Sequence, residues 1–332
     1  MTDSTSNRNI SIKKSAVGSA IISGDVNTIY VIHQSTQQRY EPQPTEGTSG
    51  VLHKNPYKGL AAFNESDADR YFGREAQVER LLRRFHDFYT QESLPRFLAI
   101  LGPSGSGKSS LAQAGLIPEL ARRPLPGWND SRFVLLVPGS RPLEALASVL
   151  ARISTDDIMP VARTREFLVE LKRRDNNGQY NGLLRIVDTL PEIATTPIIV
   201  LVDQFHELYT LCSDVDERMA FIENLLNACS YVGSRVSVVI TLRTDFLAKT
   251  QAHSKLNLAI SEYAFIVPEM NELELRAAIS KPAKLAGYPL DEATIALLTS
   301  DVKGREGALP LLQFTLTRIW DALAEGCSPA ET

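Results

Sequence analysis

The stretch that decides the fold is Gly102-Pro103-Ser104-Gly105-Ser106-Gly107-Lys108-Ser109, in which a glycine and four free positions are followed by Gly-Lys-Ser. The apolar run 97–101 precedes it, and residues 110–114 have the composition of a helix start. Glycines let a loop curl so that several backbone N–H groups point at one anion, and the helix N-terminus adds partial positive charge. A strand, a glycine-rich loop and a helix in this order predict a P-loop, which holds the phosphates of a nucleotide; a glycine-rich surface loop is the alternative.

Two side chains of this loop have the expected chemistry. Lys108 would reach the β- and γ-phosphates, and Ser109 has the hydroxyl position that binds Mg²⁺. ATP or ADP with Mg²⁺ is therefore the expected cofactor. The predicted phosphate-binding residues are Gly102, Ser104, Gly105, Ser106, Gly107, Lys108, Ser109 and Ser110.

The length and composition predict a protein of several structural units without a general affinity for polyanions. The 332 residues are enough for two or three such units, and the formal net charge of −4 gives no general attraction to nucleic acid or to an anionic membrane. No apolar run has the length of a membrane span and the polar N-terminus lacks the apolar core of a signal peptide, so a cytoplasmic location is predicted. Cys212, Cys229 and Cys327 show no metal-binding spacing and are predicted to be reduced and structural.

Residues 1–35 are predicted to form two short strands. Residues 21–34 are rich in β-branched side chains, carry no charge apart from Asp25 and contain one Gly-Asp turn. A lone strand pair is marginal in water, so it needs a partner surface. Two interpretations stay open: a hairpin docked on the main domain, and an intermolecular element that recruits or assembles an effector. Residues 36–54 are predicted to be a linker.

Residues 55–268 are predicted to form a parallel α/β sheet, because buried apolar runs alternate with helical patterns. One such run ends on Asp203, and the carboxyl ends of parallel strands are where ligands bind. Asp203 therefore has the Walker-B position and would hold Mg²⁺; a helix cap is the alternative. Glu207 is the nearby carboxylate that could orient an attacking water, and His206 could assist or be plain surface.

A third buried run, residues 236–241, leads to Arg243. If this strand lies between the other two, the sheet is of the additional-strand type and Thr241 and Arg243 face the γ-phosphate. Arg243 would then distinguish a triphosphate from a diphosphate through a charge-assisted contact. A surface arginine in a turn is the alternative.

Residues 269–325 are predicted to form a small helical subdomain, followed by a tail at 326–332. From residue 271 onward the apolar positions recur at helical spacing. Pro310 lies at the start of the last predicted helix, where its missing N–H costs nothing.

Five motifs in order resemble the STAND class of signalling NTPases, which is related to NB-ARC and NACHT proteins, and most closely its bacterial novel-STAND branch. The resemblance covers about residues 55–324. It departs from the family at His206, where the first of two glutamates is usual, and so makes efficient hydrolysis an open question. The motifs lie at residues 71–75, 102–110, 202–207, 241–246 and 308–312.

The resemblance implies a switch that is controlled by the bound nucleotide. ADP between the P-loop domain and the helical subdomain would hold a closed monomer, and exchange for ATP would let protomers associate. Slow ATP hydrolysis, a protein effector or sensor as partner, and a role in bacterial defence or programmed cell death are further implications. By the same resemblance Phe72 and Gly73 would contact adenine, and Arg74 is a further nucleotide-binding candidate. Pro310 would close over the base or ribose, and Arg243 would sense the γ-phosphate.

Two other functions stay open. An AAA+-like ATPase that works on nucleic acid would need a basic surface, and the sequence offers only Lys172-Arg173-Arg174 and Arg122-Arg123, which are short. A scaffold that binds nucleotide without hydrolysing it is the third possibility. A small-molecule kinase is disfavoured, because the helical part has no evident acceptor-pocket signature.

Overall fold

The computed structural model describes residues 55–91, 94–154, 160–190, 196–305 and 307–324, together with the backbone of 19–22 and 29–32. The predicted Gly-Asp turn, the linker at 36–54, the tail at 326–332 and Cys327 lie outside these residues. Among the described residues, no helix is both long and apolar enough to cross a membrane.

The central sheet has the order β1-β2-β4-β5-β6-β3-β7, and its five strands from β4 to β7 are all parallel. Strand β4, the next strand after the P-loop, is not a neighbour of β3 in the sheet, because β5 and β6 lie between them. Strand β6 therefore separates β3 from β5. This confirms the predicted α/β fold with a sheet of the additional-strand type. The strands are β1 Ser19–Ile22, β2 Ile29–Ile32, β3 Phe97–Gly102, β4 Arg132–Leu136, β5 Ile198–Val202, β6 Val236–Arg243 and β7 Ala264–Ile266.

Helices cover both faces of the sheet and form a separate bundle at the C-terminal end. The P-loop leads into α2, and the same helix continues through the π-helical stretch Leu111–Leu116 into α3. Two 3₁₀ turns, Glu65–Arg70 and Thr244–Phe246, precede α1 and α9. The helices are α1 Glu75–Thr90, α2 Lys108–Ser110, α3 Ile117–Arg122, α4 Pro142–Ile153, α5 Val161–Lys172, α6 Gly182–Thr189, α7 Glu207–Thr210, α8 Val215–Ser230, α9 Leu247–Thr250, α10 Ser254–Tyr263, α11 Glu272–Leu285, α12 Glu292–Val302 and α13 Ala308–Ala324.

Two apolar cores lie on opposite faces of the sheet. Strand β3 shows why: all six of its residues are buried, and alternate side chains enter different cores. Leu98 and Ile100 pack with α1 and with the helix that follows the P-loop. Ala99 and Leu101 pack in the core that α4, α5, α6, α8 and α10 cover. The P-loop therefore follows a strand that packs into an apolar core on each face of the sheet.

The helical subdomain has a core of its own, built around Ile279, Leu316 and Trp320. Tyr57 is part of this core, although it lies at the start of the segment predicted to form the α/β domain. Its ring meets Trp320 edge-on at 6.2 Å between centroids, and its hydroxyl donates to the Ile279 carbonyl at 2.6 Å. The first residues after the linker thus belong structurally to the helices.

The N-terminal strand pair extends the sheet at the β4 edge. β1 and β2 are antiparallel, and β2 pairs antiparallel with β4 through Val31↔Val134 and Ile32↔Phe133. A docked hairpin requires this pairing, and recruitment or assembly of an effector stays a prediction.

The buried cysteines of the described chain are free. Cys212 and Cys229 form no disulfide. Burial raises the pKa of Cys229 to about 12, so this thiol stays protonated and unreactive.

Candidate nucleotide-binding site

The P-loop has the geometry that its glycines predict. Gly105 and Gly107 have φ angles of +74° and +87°, which are left-handed conformations that side chains rarely adopt. A Cβ added to Gly102 would lie 2.6 Å from the Ser106 hydroxyl. The loop is therefore a concave backbone cradle that only glycine allows at these points, and it fits a phosphate group.

Lys108 lies folded over this loop. Its Nζ donates to the Pro103 carbonyl at 2.7 Å, and the residue is buried. Burial and, to a smaller extent, the positive charge of Arg243 together lower the pKa of Lys108 to about 8. A phosphate between the two cations would remove much of this repulsion.

Asp203, at the end of β5, is the most heavily hydrogen-bonded carboxylate of the site. Its Oδ1 accepts from the Ser109 hydroxyl at 2.8 Å and from the Thr241 hydroxyl at 2.5 Å, and its Oδ2 accepts from the Gln113 amide at 2.9 Å. The backbone N–H of Gln204 is a fourth donor, to Asp203 Oδ1 at 3.0 Å. Gln204 itself has a left-handed backbone conformation, with φ of +52°. These bonds fix the carboxylate in one orientation.

The pair Ser109 and Asp203 fits a magnesium ion. A hydroxyl oxygen and a carboxylate oxygen lie 2.8 Å apart beside the phosphate cradle, and oxygen ligands of this kind are what Mg²⁺ prefers. When bound there, the ion would neutralise phosphate charge.

Glu207 and His206 lie at the start of α7, next to Asp203. The Gly139 amide donates to Glu207 Oε2 at 3.2 Å. Burial raises the pKa of Glu207, although this hydrogen bond lowers it in part. Burial lowers the pKa of His206, and the charges of Arg243 and Lys108 add to this effect. His206 is therefore neutral at physiological pH, with its ring centroid 5.2 Å from that of Phe246.

Arg243 ends β6 directly beside the P-loop, in register with Gly102. Its guanidinium donates through Nε and Nη2 to the two carboxylate oxygens of Asp245, at 3.1 and 2.7 Å. The Arg243 side chain is 36% exposed, so the pair faces solvent at the mouth of the site.

A cavity of about 280 Å³ opens beside the P-loop, between the α/β domain and the helical subdomain. The P-loop contributes Gly105 to Ser110 to one wall, apart from Ser106, and Phe72 and Arg74 come from the segment before α1. The helical side contributes Met270, Ala278, Leu309, Pro310, Leu312 and Gln313. The cavity thus joins the predicted phosphate and adenine regions.

Gly73 and Arg74 have structural roles that the sequence did not reveal. A Cβ on Gly73, whose φ is +85°, would clash with the Glu274 carbonyl, so this glycine allows α11 to pack closely. Arg74 is 2% exposed and donates to the carbonyls of Pro268 at 2.8 Å and Ser106 at 3.3 Å. Arg74 thus links the Ser106 carbonyl of the P-loop to Pro268. Phe72 and Arg74, on either side of Gly73 in the sequence, both line the cavity.

The P-loop and helix α13 touch each other. A Cβ on Gly105 would lie 3.1 Å from Gly307 Cα and 3.2 Å from Pro310 Cδ. Pro310 is in the first turn of α13, as predicted from its position at a helix start. A phosphate group bound in the P-loop would therefore lie next to the helical subdomain.

A segment missed by sequence reasoning, residues 55–63 (the strap), forms a further wall of the cavity. Asn55 donates to Asp321 on α13 at 3.0 Å, and the Phe63 amide donates to the Ser110 hydroxyl at 3.1 Å. Residues 59–63 line the cavity between these anchors. The turn signals in this segment are Asn55-Pro56 and the left-handed Gly59, whose φ is +60°.

Gln113 is the other residue that sequence reasoning missed. It contacts Asp203 from the same helix face as Ser109, four residues earlier. The spacing of four would have placed the two side chains together.

The predicted basic clusters are largely neutralised by acids. Arg122 pairs with Glu119 at 2.6 Å, and Arg123 pairs with Glu79 at 2.7 Å. Arg173 approaches Glu170 at 3.9 Å. Each of these three arginines keeps at least half of its side chain exposed, so the pairing lowers the positive charge of the two runs without burying them.

The sheet order, the glycine cradle and the Asp203 cluster define a P-loop NTPase. The chain belongs to the family described as Novel STAND NTPase 1, whose model matches residues 56–330. This confirms the resemblance that the motifs indicate.

Solved structures show the same fold at low sequence identity. The Aeropyrum pernix ORC2 protein, in ADPNP-ADP complexes, has a TM-score of 0.54 at 18% identity, covering 77% of this chain and 64% of that one. Drosophila ORC bound to DNA has a TM-score of 0.54 at 13% identity, with coverage of 90% and 67%. This chain thus spans less than two thirds of the ORC2 chain. No curated protein matches.

Proposed function

We propose that this chain is a nucleotide-dependent switch of the STAND type, in which ADP holds a closed form and ATP permits self-association. The observation that carries the proposal is the shared cavity: one side is the P-loop, and the other is the N-terminal turn of α13 with Pro310. A ligand in this position contacts both units, so its identity can affect their packing.

The switch needs a difference in how the two nucleotides bind the two forms. A ligand shifts an equilibrium only through its different affinities for the states. Arg243 supports this requirement, because it lies beside Gly102 at the phosphate end and would touch only a third phosphate. Its pairing with Asp245 leaves the Nη1 group for a further acceptor.

Slow hydrolysis of ATP to ADP and phosphate is part of the proposal. Glu207, with its raised pKa, would take the proton of an attacking water, and Lys108 and Arg243 would balance the phosphate charge. His206 contributes no negative charge beside Glu207, which favours low turnover. An effector or sensor partner and a role in bacterial defence or programmed cell death stay predictions of the resemblance. A cytoplasmic location stays a prediction of the composition.

A non-hydrolysing scaffold is the second candidate, and the surroundings of His206 favour it. The Nδ1 atom of His206 is buried without a hydrogen-bond partner among the described residues, and Glu207 is already bound by the Gly139 amide. Phosphate release measured over hours, with Lys108→Ala as the blank, separates the two candidates. Release equal to the blank would favour the scaffold.

The test of the switch is the nucleotide that the purified protein carries, together with its mass in solution with ADP and with ATP. We expect bound ADP and a monomer in ADP, and a larger species with ATP and Mg²⁺. A protein that carries no nucleotide, or whose mass is the same in both nucleotides, would contradict the proposal.

A further inference from the structure

Asp245 is an acidic residue at the triphosphate end of the site to which neither the family motifs nor the proposed mechanism assigns a task. Asp245 lies two residues after Arg243, the last residue of β6, within the 3₁₀ turn Thr244–Phe246. Both of its oxygens are engaged by Arg243. The Arg243 guanidinium also lies 5.5 Å from the Phe246 ring centroid, so it is held between the carboxylate and the ring.

The donors that Asp245 occupies are those that a phosphate would use. Arg binds carboxylates and phosphates through the same paired N–H geometry. A γ-phosphate beside Gly102 therefore has two ways to engage Arg243. It can displace Asp245 from Nη2, or it can bind at Nη1 while the negative carboxylate stays close by.

Both ways oppose the binding of a triphosphate. In the first, Asp245 loses its partner; in the second, two anions share one cation. In the proposed switch, a diphosphate would lack the phosphate that contacts Arg243 and would leave the pair intact. The Asp245 side chain is 54% exposed, so the pair is weak enough to exchange.

We infer that Asp245 is a specificity-determining residue that competes with the γ-phosphate for Arg243 and so biases the site towards the diphosphate. The inference rests on the proposed nucleotide switch. In that switch, Asp245 sets how much triphosphate is needed to leave the ADP form.

The test compares the binding of ADP and of a non-hydrolysable ATP analogue, each with Mg²⁺, to the wild type and to Asp245→Asn. We expect the triphosphate to bind about two- to fivefold more tightly to the variant, the range for one exposed ion pair. The Kd for ADP should not change. Asp245→Ser serves as a second variant, and thermal unfolding shows whether each variant is folded.

Two controls make the result specific. Asp188→Asn removes a carboxylate that is 63% exposed and pairs with Arg235, at the opposite end of the sheet, and should change neither Kd. In an Arg243→Ala background, Asp245→Asn should lose its effect, because the competition is gone.

Each other outcome has a definite meaning. Weaker triphosphate binding by Asp245→Asn would show that the carboxylate aims Arg243 at the phosphate, and it would overturn the inference. An unchanged ratio of the two Kd values, or an equal change without Arg243, would overturn it as well. If the wild type bound neither nucleotide, the proposed function itself would fall.

Discussion

Among single residues, Glu65 is a carboxylate that the fold partly buries in the first turn of the 3₁₀ segment Glu65–Arg70. Burial raises the pKa of Glu65 from 4.5 to about 7. The neighbouring Asp67 shows the contrast. It is also buried, but the Asn64 amide, Lys58 and Arg70 hold its pKa below the ordinary value. Two acids in one turn thus prefer opposite charge states.

We expect Glu65→Gln to stabilise the protein at pH 8 and to change little at pH 5. The folded carboxyl keeps its proton up to about pH 7, whereas the unfolded chain releases it near pH 4.5, so stability falls as pH rises between these values. A neutral glutamine avoids that loss, which is about 1–2 kcal/mol once partial exposure is discounted.

Urea unfolding at both pH values measures this effect. Glu166→Gln, at an exposed position on α5, is the control for removing a surface carboxylate. A stabilisation of equal size at pH 5 and pH 8 would mean that charge is not its cause.

Among elements, the contact between the α/β domain and α11 depends on Gly73. The glycine has a left-handed conformation and lies against the Glu274 carbonyl. The neighbouring Gln77 amide donates to the Glu274 side chain at 2.8 Å, which fixes the same contact. The close approach of α11 is thus made by backbone and one buried amide.

We expect Gly73→Ala to destabilise the protein by about 3 kcal/mol and to loosen the helical subdomain. The conformation alone costs about 1–2 kcal/mol for a residue with a Cβ, and the clash adds a similar amount. Gly127→Ala is the matched control, since its φ of +81° is similar but nothing lies within 4 Å of the added Cβ. Chemical unfolding and limited proteolysis of α11 would measure the difference, and equal costs for the two variants would refute it.

The strap is the second element that joins the two units. It bonds to α13 at Asn55, to α11 through Tyr57 and to the P-loop helix through Ser110. Its residues 59–63 also line the cavity.

At the scale of the whole molecule, the proposed switch depends on Arg243 for its response to the third phosphate. We expect Arg243→Ala to leave ADP affinity nearly unchanged, because in the proposed switch ADP would lack the third phosphate that this side chain contacts. ATP-dependent assembly should weaken, since the triphosphate loses its charge-assisted contact. Light scattering with each nucleotide measures assembly, and Lys108→Ala gives the level without nucleotide binding. Equal assembly of Arg243→Ala and wild type would contradict the sensor role.

The amino-acid sequence by itself determined the fold class and much of the site. The motifs predicted Lys108 and Ser109 at the start of the helix after the P-loop and Asp203 at the end of a later buried strand. The buried runs that precede them leave few alternatives to a parallel sheet. These features are local: a glycine cradle, a strand and a helix start are each encoded within about ten residues.

Only the tertiary structure decided which distant groups meet. The position of β6 between β3 and β5 brings Thr241 onto Asp203, and no local pattern contains that pairing. In the same way Tyr57 enters the helical core more than 200 residues away in sequence, and Gly73 packs against a helix carbonyl. Such contacts arise from the packing of whole elements, in which burial and shape complementarity select the partner. The periodicity of apolar residues along the chain predicts which face of an element is buried, but not which distant residue it contacts.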